Sequence, residues 1–225
     1  MSQRANALIA KLAAGQCLSR GELSYILSQT DQEFWQSVRR RADAVRADYV
    51  GEAIHLRGLV EFSNYCRCNC LYCGLRRENK AVSRYRLQPE ELVRTALFAA
   101  ELGYSTVMLQ SGEDLFYTGE LLAQIIKEIK AKTNLAITLS VGERTEEEYA
   151  LWRQAGADRY LIRHETADPA LYAALHPQRT QRERVGCLQT LRALGYEVGS
   201  GFMVGLPGQS AETLASDLSL LRELD

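Results

Sequence analysis

One short pattern occurs three times in this 225-residue chain: a helix-like segment ends at a glycine, and one residue later an apolar, strand-like segment begins. The glycines are Gly103, Gly156 and Gly195, in the stretches LGYSTV, AGADRYL and LGYEVG. Glycine adopts the left-handed backbone conformation without steric cost, so it can end a helix and turn the chain back toward a sheet. The pattern therefore predicts a series of helix-to-strand connections.

From residue 57 onward, apolar segments alternate with helix-like segments whose starts carry recognisable capping patterns. Pro89 opens one helix, while Thr145 with Glu148 and Thr180 with Glu183 each form a capping box. Because the strands are apolar and bounded by helices, we predict a parallel sheet covered by helices. The predicted strands are residues 56–64, 105–110, 135–141, 159–163 and 197–205.

Two α/β architectures satisfy this pattern, a doubly wound sheet and a barrel, and the periodicity does not distinguish them. The chain contains neither a GxGxxG sequence after the first strand nor a Walker loop, which disfavours nucleotide-binding open sheets. A closed barrel of eight β/α units needs about 250 residues. Because only five strands are predicted before residue 225, we expect the sequence to be a fragment of a longer protein.

The first 50 residues lack the strand pattern and are predicted to be helical. Thr30 is the expected N-cap of the longer helix. Residues 1–50 are expected to form a helical segment that covers one end of the main domain, residues 51–225. Cys17 and Cys187 lie in helix-like stretches and are expected to be ordinary buried thiols.

Charge and hydropathy disfavour several classes of partner. The formal net charge is −1 and basic residues are interleaved with acidic ones, so we do not expect nucleic acid binding. The sequence has no apolar stretch long enough for a signal peptide and none near the roughly 20 apolar residues of a membrane span. We therefore expect a cytoplasmic protein with no membrane partner.

Four of the six cysteines, Cys66, Cys68, Cys70 and Cys73, lie within eight positions. Clustered cysteines in a reducing cytosol are more often metal ligands or redox centres than disulfides. A zinc ribbon needs a second CxxC pair, a thioredoxin-like CxxC leaves Cys66 unexplained, and a ferredoxin run needs a proline after its last cysteine. A zinc or simple redox module stays open as the non-enzymatic alternative.

The remaining subset is Cys66, Cys70 and Cys73, spaced CxxxCxxC just after the first predicted strand. Three thiolates can hold three irons of a 4Fe-4S cube and leave the fourth iron open to another ligand. This spacing resembles the signature of the radical S-adenosylmethionine (SAM) superfamily. The resemblance implies a TIM-type (β/α) barrel, truncated here after about five β/α units. It also implies a 4Fe-4S cluster and S-adenosyl-L-methionine as cofactors, Tyr72 near the adenine, and no ligand role for Cys68.

Further stretches are similar to the HydE family of FeFe-hydrogenase maturases, which are relatives of biotin synthase and methylornithine synthase. These stretches are CNCLYCGLRRENKAVSRYRLQPEE, LQSGED, RYLIRHETADPALY and GFMVGLPGQS. The resemblance implies a radical SAM enzyme that forms a 5'-deoxyadenosyl radical and helps to assemble the di-iron subcluster of the hydrogenase H-cluster. A biotin synthase-like or methylornithine synthase-like enzyme is the alternative. The implied partners are a small organometallic substrate, an electron donor such as ferredoxin or flavodoxin, and other hydrogenase maturases.

Polar side chains on and after the predicted strands are the candidate site residues. Thr138 and Ser140 alternate on the third strand and so share a face. Arg159 and Arg163 share a face of the fourth strand, where burial without an anionic partner would be costly. The resemblance implies these SAM-binding residues: Tyr72, Ser111, Gly112, Glu113, Thr138, Ser140, Glu165 and Arg184. It implies these substrate-binding residues: Arg57, Arg159 and Arg163.

Two features are not assigned a role in the site. GFMVGLPGQS resembles the family's GxIxGxxE segment, but Gln209 and Ser210 stand where an acid is expected, so no side chain there is assigned. His164 is expected to be a local structural histidine.

Overall fold

A five-stranded parallel sheet forms the centre of the computed structural model, which describes residues 3–224. Residues 1, 2 and 225, which the predicted ranges 1–50 and 51–225 include, lie outside the described residues. The strands are β1 (Gly58–Ser63), β2 (Thr106–Ser111), β3 (Ala136–Ser140), β4 (Arg159–Leu161) and β5 (Glu197–Gly199). All four neighbouring pairs are parallel.

The strand order distinguishes the two architectures that the sequence left open. The strands lie in the order β1-β2-β3-β4-β5, so each one is added beside the previous one on the same side. A doubly wound sheet reverses direction after its first strands, whereas a (β/α) barrel does not. The predicted TIM-type arrangement of five β/α units is therefore confirmed, and β1 and β5 are the two edges of the sheet in the described residues.

Nine helices are present in residues 3–224. They are α1 (Gln3–Ala13), α2 (Arg20–Leu27), α3 (Gln32–Val50), α4 (Pro89–Glu101), α5 (Gly119–Lys132), α6 (Glu146–Ala155), α7 (Pro169–Leu175), α8 (Gln181–Ala193) and α9 (Ala211–Leu224). No helix among the described residues is both long and apolar enough to cross a lipid bilayer.

The predicted helix ends are largely confirmed. Gly103, Gly156 and Gly195 have φ angles of 86°, 113° and 81°, as the helix-to-strand turns require. Both predicted capping boxes, at the starts of α6 and α8, are present. The expected N-cap Thr30 is wrong, because Asp31 accepts the N–H groups of the first turn of α3 instead.

The last two predicted strands are longer than the observed ones. Regular pairing ends at Leu161 in β4 and at Gly199 in β5, and only an isolated bridge joins Glu165 to Phe202 beyond them. Regular pairing has already ended where the chain reaches Glu165, whose φ of 65° is incompatible with extended backbone. The residues after β4 are therefore loop.

The N-terminal helices have an apolar cluster of their own, and the main core lies between the sheet and helices α4, α5, α6 and α8. The side chains of Arg20 and Ser24 on α2 hydrogen-bond to Ser216 and Glu212 on α9, which places the helical segment beside the last helix. The domain boundary near residue 50 stays a prediction. Cys187 packs against the main core, but the expected burial of Cys17 is wrong, because it is exposed between α1 and α2.

Candidate active site

Most of the candidate site residues gather at one edge of the sheet, where the five parallel strands end. The cysteine loop, residues 64–79, follows β1, and Glu113 follows β2. Glu143 follows β3 and Glu165 follows β4. Parallel strands place their following loops at the same edge, which is where β/α barrel enzymes build active sites.

The cysteine loop is held in place largely by Arg84. Its guanidinium donates hydrogen bonds to four backbone carbonyl oxygens of the loop, those of Asn64, Leu75, Arg76 and Asn79. Arg84 lies in the stretch CNCLYCGLRRENKAVSRYRLQPEE, outside the candidate site residues. A single, partly buried cation thus fixes the path of the chain from the end of β1 to residue 79.

The three predicted iron ligands lie half-buried on this loop. The Cys68 N–H donates to the Cys66 sulfur and the Leu75 N–H to the Cys73 sulfur, each at 3.4 Å. Backbone N–H groups directed at cysteine sulfurs are a common environment of iron–sulfur ligands, where they stabilise the thiolate and tune the cluster. The donor set and its hydrogen bonds therefore fit a 4Fe-4S cluster.

Cys68 lies outside the CxxxCxxC ligand spacing, but in the structure it is close to the other cysteines. The contact with the Cys68 thiol, reinforced by burial, raises the pKa of Cys66. For Cys70 the contact with the Cys68 thiol lowers the pKa, although burial opposes this. No three His, Cys, Asp or Glu side chains in residues 3–224 are arranged to hold a single metal ion. Ligands of a cluster bind different irons and need not converge on one point. The dispensability of Cys68 stays a prediction.

Gly112 allows the loop after β2 to touch the cysteine loop. A Cβ atom at this position would lie 2.2 Å from the Tyr65 carbonyl oxygen and 2.8 Å from the Cys66 Cβ. Neither distance is sterically possible, and the nearer atom belongs to the backbone. The glycine in the SGED stretch is therefore required for close approach of the two loops.

Glu113 is buried, 6% exposed, and both of its carboxylate oxygens accept hydrogen bonds. Arg67 Nε lies 2.9 Å and Arg179 Nη2 3.1 Å from Oε2, and the Glu143 N–H donates to Oε1 at 2.9 Å. Burial alone would raise the pKa of Glu113, but these hydrogen bonds outweigh it and lower the pKa below its ordinary value. Glu113 is therefore a carboxylate at neutral pH.

Arg184 extends this contact set into a network of five charges. Its Nε donates to Glu143 Oε1 at 2.5 Å, and Arg179 donates to the other oxygen of Glu143 at 2.5 Å. Arg67, Arg179 and Arg184 thus share Glu113 and Glu143, which leaves one positive charge in excess. A partly buried network with this excess suits an anionic group such as a carboxylate.

Glu165 is the most unusual residue of the site. It combines a φ of 65° with 4% exposure, and its Oε1 accepts a hydrogen bond from the Tyr72 hydroxyl at 3.0 Å. No donor in residues 3–224 reaches its Oε2. Strained backbone and an unsatisfied buried carboxylate oxygen are characteristic of positions that a ligand completes. Glu165 therefore points to a ligand that donates hydrogen bonds.

The three predicted substrate arginines are not brought together. Arg57 is exposed just before β1, and Arg159 begins β4, where it donates to Glu197 at 2.6 Å and to Thr106 at 3.3 Å. Both lie at the amino-terminal edge of the sheet, opposite the cysteine loop. Arg163 lies at the carboxyl edge, with Nε 3.5 Å from Glu165 Oε1. Their substrate role stays a prediction.

The other predicted residues lie on β2 and β3, or directly after them, between the groups described above. Thr138 is buried in the middle of β3, Ser140 is half-buried at its end, and Ser111 ends β2 beside Gly112. Gln209, which stands where an acid was expected, accepts the N–H groups of Gly205 and Leu206 and so holds its own loop.

Sequence reasoning missed four contributors: Arg67, Glu143, His176 and Arg179. His176 ends α7, and its Nε2 lies 2.9 Å from the Tyr72 hydroxyl oxygen. The sequence contained one signal for Glu143. It lies three residues after β3, and Glu113 lies in a similar position after β2. The contacts of Arg67 and Arg179 join residues far apart in sequence and leave no local pattern.

The whole-chain charge conceals a strong local asymmetry. Residues 64–88 contain six basic residues and one acidic residue, a net charge of +5 in a chain whose total is −1. The side chains of Arg67, Arg77 and Arg179 line a cavity of about 250 Å³ together with Cys68 and Cys70. The cavity beside the cysteines is therefore lined by guanidinium groups, of which those of Arg67 and Arg179 pair with Glu113 and Glu143.

Comparison with known proteins gives one family match and several relatives. Residues 60–221 match the family model described as the radical SAM superfamily. The chain is 50% identical over 207 residues to the [FeFe] hydrogenase maturase subunit HydE of Thermotoga maritima, an alignment that covers 92% of this chain and 59% of that protein.

Solved structures agree with this match. The crystal structure of methylornithine synthase superposes with a TM-score of 0.88 at 27% identity, covering 96% of this chain and 64% of that one. The FeFe-hydrogenase maturase HydG from Carboxydothermus hydrogenoformans superposes with a TM-score of 0.85 at 26% identity, covering 99% and 53%. The chain thus spans less than two thirds of the length of each of these relatives.

Proposed function

The chain belongs to the radical SAM superfamily, and we propose that it binds a 4Fe-4S cluster through Cys66, Cys70 and Cys73 and cleaves SAM reductively. When bound, the reduced cluster and SAM would together supply a 5'-deoxyadenosyl radical. The observation that carries the proposal is the 3.0 Å hydrogen bond between Tyr72 and Glu165. It joins the cysteine loop to a strained, buried carboxylate that lacks a partner for one oxygen.

The residues around this bond match the functional groups of SAM in charge and hydrogen-bonding capacity. Glu113 is an anion and would accept hydrogen bonds from the amino group. Arg184 and the excess positive charge of its network would bind the carboxylate, because guanidinium groups pair with carboxylates through parallel hydrogen bonds. Glu165 would accept from the ribose hydroxyls. Thr138 and Ser140 would line the site that holds SAM and the substrate.

SAM would have to compete with contacts already present. Arg67 and Arg179 occupy Glu113 Oε2, so an incoming amino group would take the place of at least one of them. Arg67 and Arg179 are both partly exposed, at 41% and 27%, so displacing either would cost less than displacing a buried group, and Arg179 lies on the loop before α8. We infer that this loop adjusts when SAM binds.

For the overall reaction, we propose assembly of the di-iron subcluster of the FeFe-hydrogenase H-cluster. The 50% identity to a HydE protein supports this choice over a biotin synthase-like or methylornithine synthase-like reaction, for which the methylornithine synthase structure gives 27%. The substrate would be a small organometallic complex. Arg163 at the site, and Arg57 and Arg159 at the opposite edge of the sheet, are the proposed substrate arginines.

We propose an acidic electron carrier such as ferredoxin or flavodoxin as the electron donor, and other hydrogenase maturases as further partners. The arginine side chains that line the cavity beside the cysteines support an acidic donor, because opposite charges accelerate the encounter of two proteins. The cavity lined by Cys68 and Cys70 would give the donor a short route to the cluster. The proposed location of the reaction is the cytoplasm.

Anaerobic reconstitution of the chain tests the radical SAM step. We expect about four irons per chain, an EPR signal of the reduced cluster that changes when SAM is added, and formation of 5'-deoxyadenosine. Tightly bound zinc with no response to SAM would reject the proposal and favour the zinc module. Failure to support H-cluster assembly with the partner maturases, despite SAM cleavage, would favour the biotin synthase-like or methylornithine synthase-like alternative.

A further inference from the structure

The backbone on both sides of the strained Glu165 is held by side chains from other parts of the fold. On one side, the His164 N–H donates to the Ser200 hydroxyl oxygen at 3.3 Å, just after β5. On the other side, the Ala167 N–H donates to the Asp217 carboxylate on α9. Ser200 and Asp217 are thus two anchors of residues 164–167.

The ring of His164 lies between the two anchors. Its Nδ1 is 3.0 Å from the Ser200 hydroxyl oxygen, and its Nε2 is 3.7 Å from Oδ1 of Asp217. Solvent reaches neither the His164 ring nor the Asp217 carboxylate. No side chain or backbone group in residues 3–224 forms a hydrogen bond with Oδ2 of Asp217. The contacts of this carboxylate are therefore directed at the segment that carries Glu165.

Stability alone does not explain a carboxylate at this position of α9. Burying a carboxylate is costly, and one N–H group and a ring nitrogen at 3.7 Å offset that cost only in part. An apolar side chain of similar volume would serve the packing at least as well. The φ of 65° at Glu165, in contrast, persists only where the surrounding structure imposes it. The contacts of Asp217 supply part of that constraint.

We propose that Asp217 is a positioning residue that, together with Ser200, holds residues 164–167 so that the Glu165 carboxylate faces the ribose hydroxyls of a nucleoside ligand. Asp217 is fully buried and acts through the backbone of this segment, without touching the ligand. Loss of an anchor lets Glu165 return to a negative φ, which turns its carboxylate away from the ligand. This inference rests on the proposed function, because it takes Glu165 as the residue that binds the ribose.

Calorimetric titration of the cluster-loaded protein with two ligands tests this inference. One is S-adenosylhomocysteine, and the other is its 2',3'-dideoxy analogue, which lacks both ribose hydroxyls. We expect the wild type to prefer S-adenosylhomocysteine by at least about tenfold, because hydrogen bonds to a carboxylate are strong. Asp217→Leu should reduce this preference to about twofold, and Ser200→Ala should also reduce it.

Two further variants are the controls. Asp217→Asn keeps a side-chain oxygen that can accept the Ala167 N–H, so we expect it to retain most of the wild-type preference. Ser219→Ala, also on α9, removes a hydroxyl that donates to a carbonyl oxygen of its own helix, and it should match the wild type.

The ratio of the two affinities separates a positioning role from a merely structural one. If Asp217→Leu weakened both ligands equally and kept the wild-type preference, the role of Asp217 would be overturned, because a general loss of structure does not single out the ribose. Should Asp217→Leu fail to fold, Ser200→Ala gives the answer, and an unchanged preference there would overturn the inference. Absence of any wild-type binding to the cluster-loaded protein would overturn the proposed function as well.

Discussion

Arg86 donates two hydrogen bonds to the carboxylate of Asp114, from Nε at 2.6 Å and from Nη2 at 2.9 Å. Asp114 also accepts the Ser63 hydroxyl at 2.6 Å. Ser63 ends β1, Arg86 lies after the cysteine loop, and Asp114 follows the glycine that touches that loop. One buried carboxylate thus connects both ends of the cysteine loop to the loop after β2.

Replacing Arg86 should destabilise the fold. Arg86→Met keeps the apolar stem but leaves the buried Asp114 carboxylate without its cation, and we expect a loss of about 3 kcal/mol in the free energy of unfolding. Urea denaturation followed by circular dichroism measures it. Arg94→Met, on the exposed face of α4, is the matched control and should change stability by less than about 0.5 kcal/mol. Equal effects of the two would contradict the assigned role.

The same ion pair makes stability depend on pH in the acidic range. Burial alone would raise the pKa of Asp114, but the hydrogen bonds from Arg86 and Ser63 outweigh it and hold the pKa below its ordinary value of 3.8. A pKa lowered in the folded state contributes stability that is complete above 3.8 and is lost as the pH falls through the lower, folded value. The stability difference between wild type and Arg86→Met should therefore shrink below pH 3.8. A constant difference across that range would argue against a charged Asp114.

Gly112→Ala should disrupt the site, whereas Gly74→Ala should not. An alanine Cβ at position 112 would collide with the Tyr65 backbone and with the Cys66 side chain, so the two loops would have to separate. We expect a loss of roughly 3 kcal/mol in stability and impaired cluster assembly. Gly74 lies in the same cysteine loop, and a Cβ there would meet nothing within 4 Å. Thermal unfolding and iron content of the two variants give the comparison.

Three of the four clustered cysteines should be required for the cluster, and the fourth, Cys68, should not. We expect Cys70→Ser to abolish both the cluster and SAM cleavage, while Cys68→Ser should leave both largely intact. The contacts of Cys68 with Cys66 and Cys70 make this a demanding test. Iron content and EPR spectra measure it, with the exposed Cys17→Ser as the control. Loss of iron in Cys68→Ser would assign a ligand role to the fourth thiol.

Local features of the sequence were enough to predict the framework. The φ angles at Gly103, Gly156 and Gly195, the capping boxes and the position of the cysteine loop depend on neighbouring residues, and all agree with the structure. The alternation of residues along a strand predicts on which face of the sheet a side chain lies. It does not predict how far that side chain is from the carboxyl edge of the sheet. Arg159 therefore could not be distinguished, by that pattern alone, from a residue at the ligand-binding edge.

The contacts that the sequence did not predict join distant residues. Arg67 and Glu113 are separated by 46 positions, and Arg179 and Glu113 by 66. Such pairs depend on how three loops meet in space, which no local pattern encodes. The chain beyond β4 is a different case: Glu165 has a positive φ, a conformation that glutamate rarely adopts and that only surrounding structure can impose.

Glu143 should prove essential although no sequence motif identified it. Its two carboxylate oxygens accept from Arg179 and Arg184, and it is almost fully buried. Glu143→Gln removes the charge that offsets the two guanidinium groups, so we expect a loss of about 3 kcal/mol in stability. We also expect S-adenosylhomocysteine to bind at least tenfold more weakly, because Arg184 is no longer held toward the ligand.

The matched control is Glu146→Gln, three residues later in the exposed first turn of α6. It removes the same charge from the same region, and we expect it to change stability by less than about 0.5 kcal/mol and binding by less than twofold. Denaturant unfolding and calorimetric titration separate the two effects. If Glu143→Gln destabilised the protein but bound the ligand normally, the five-charge network would have a structural role only, and Arg184 would reach the ligand without it.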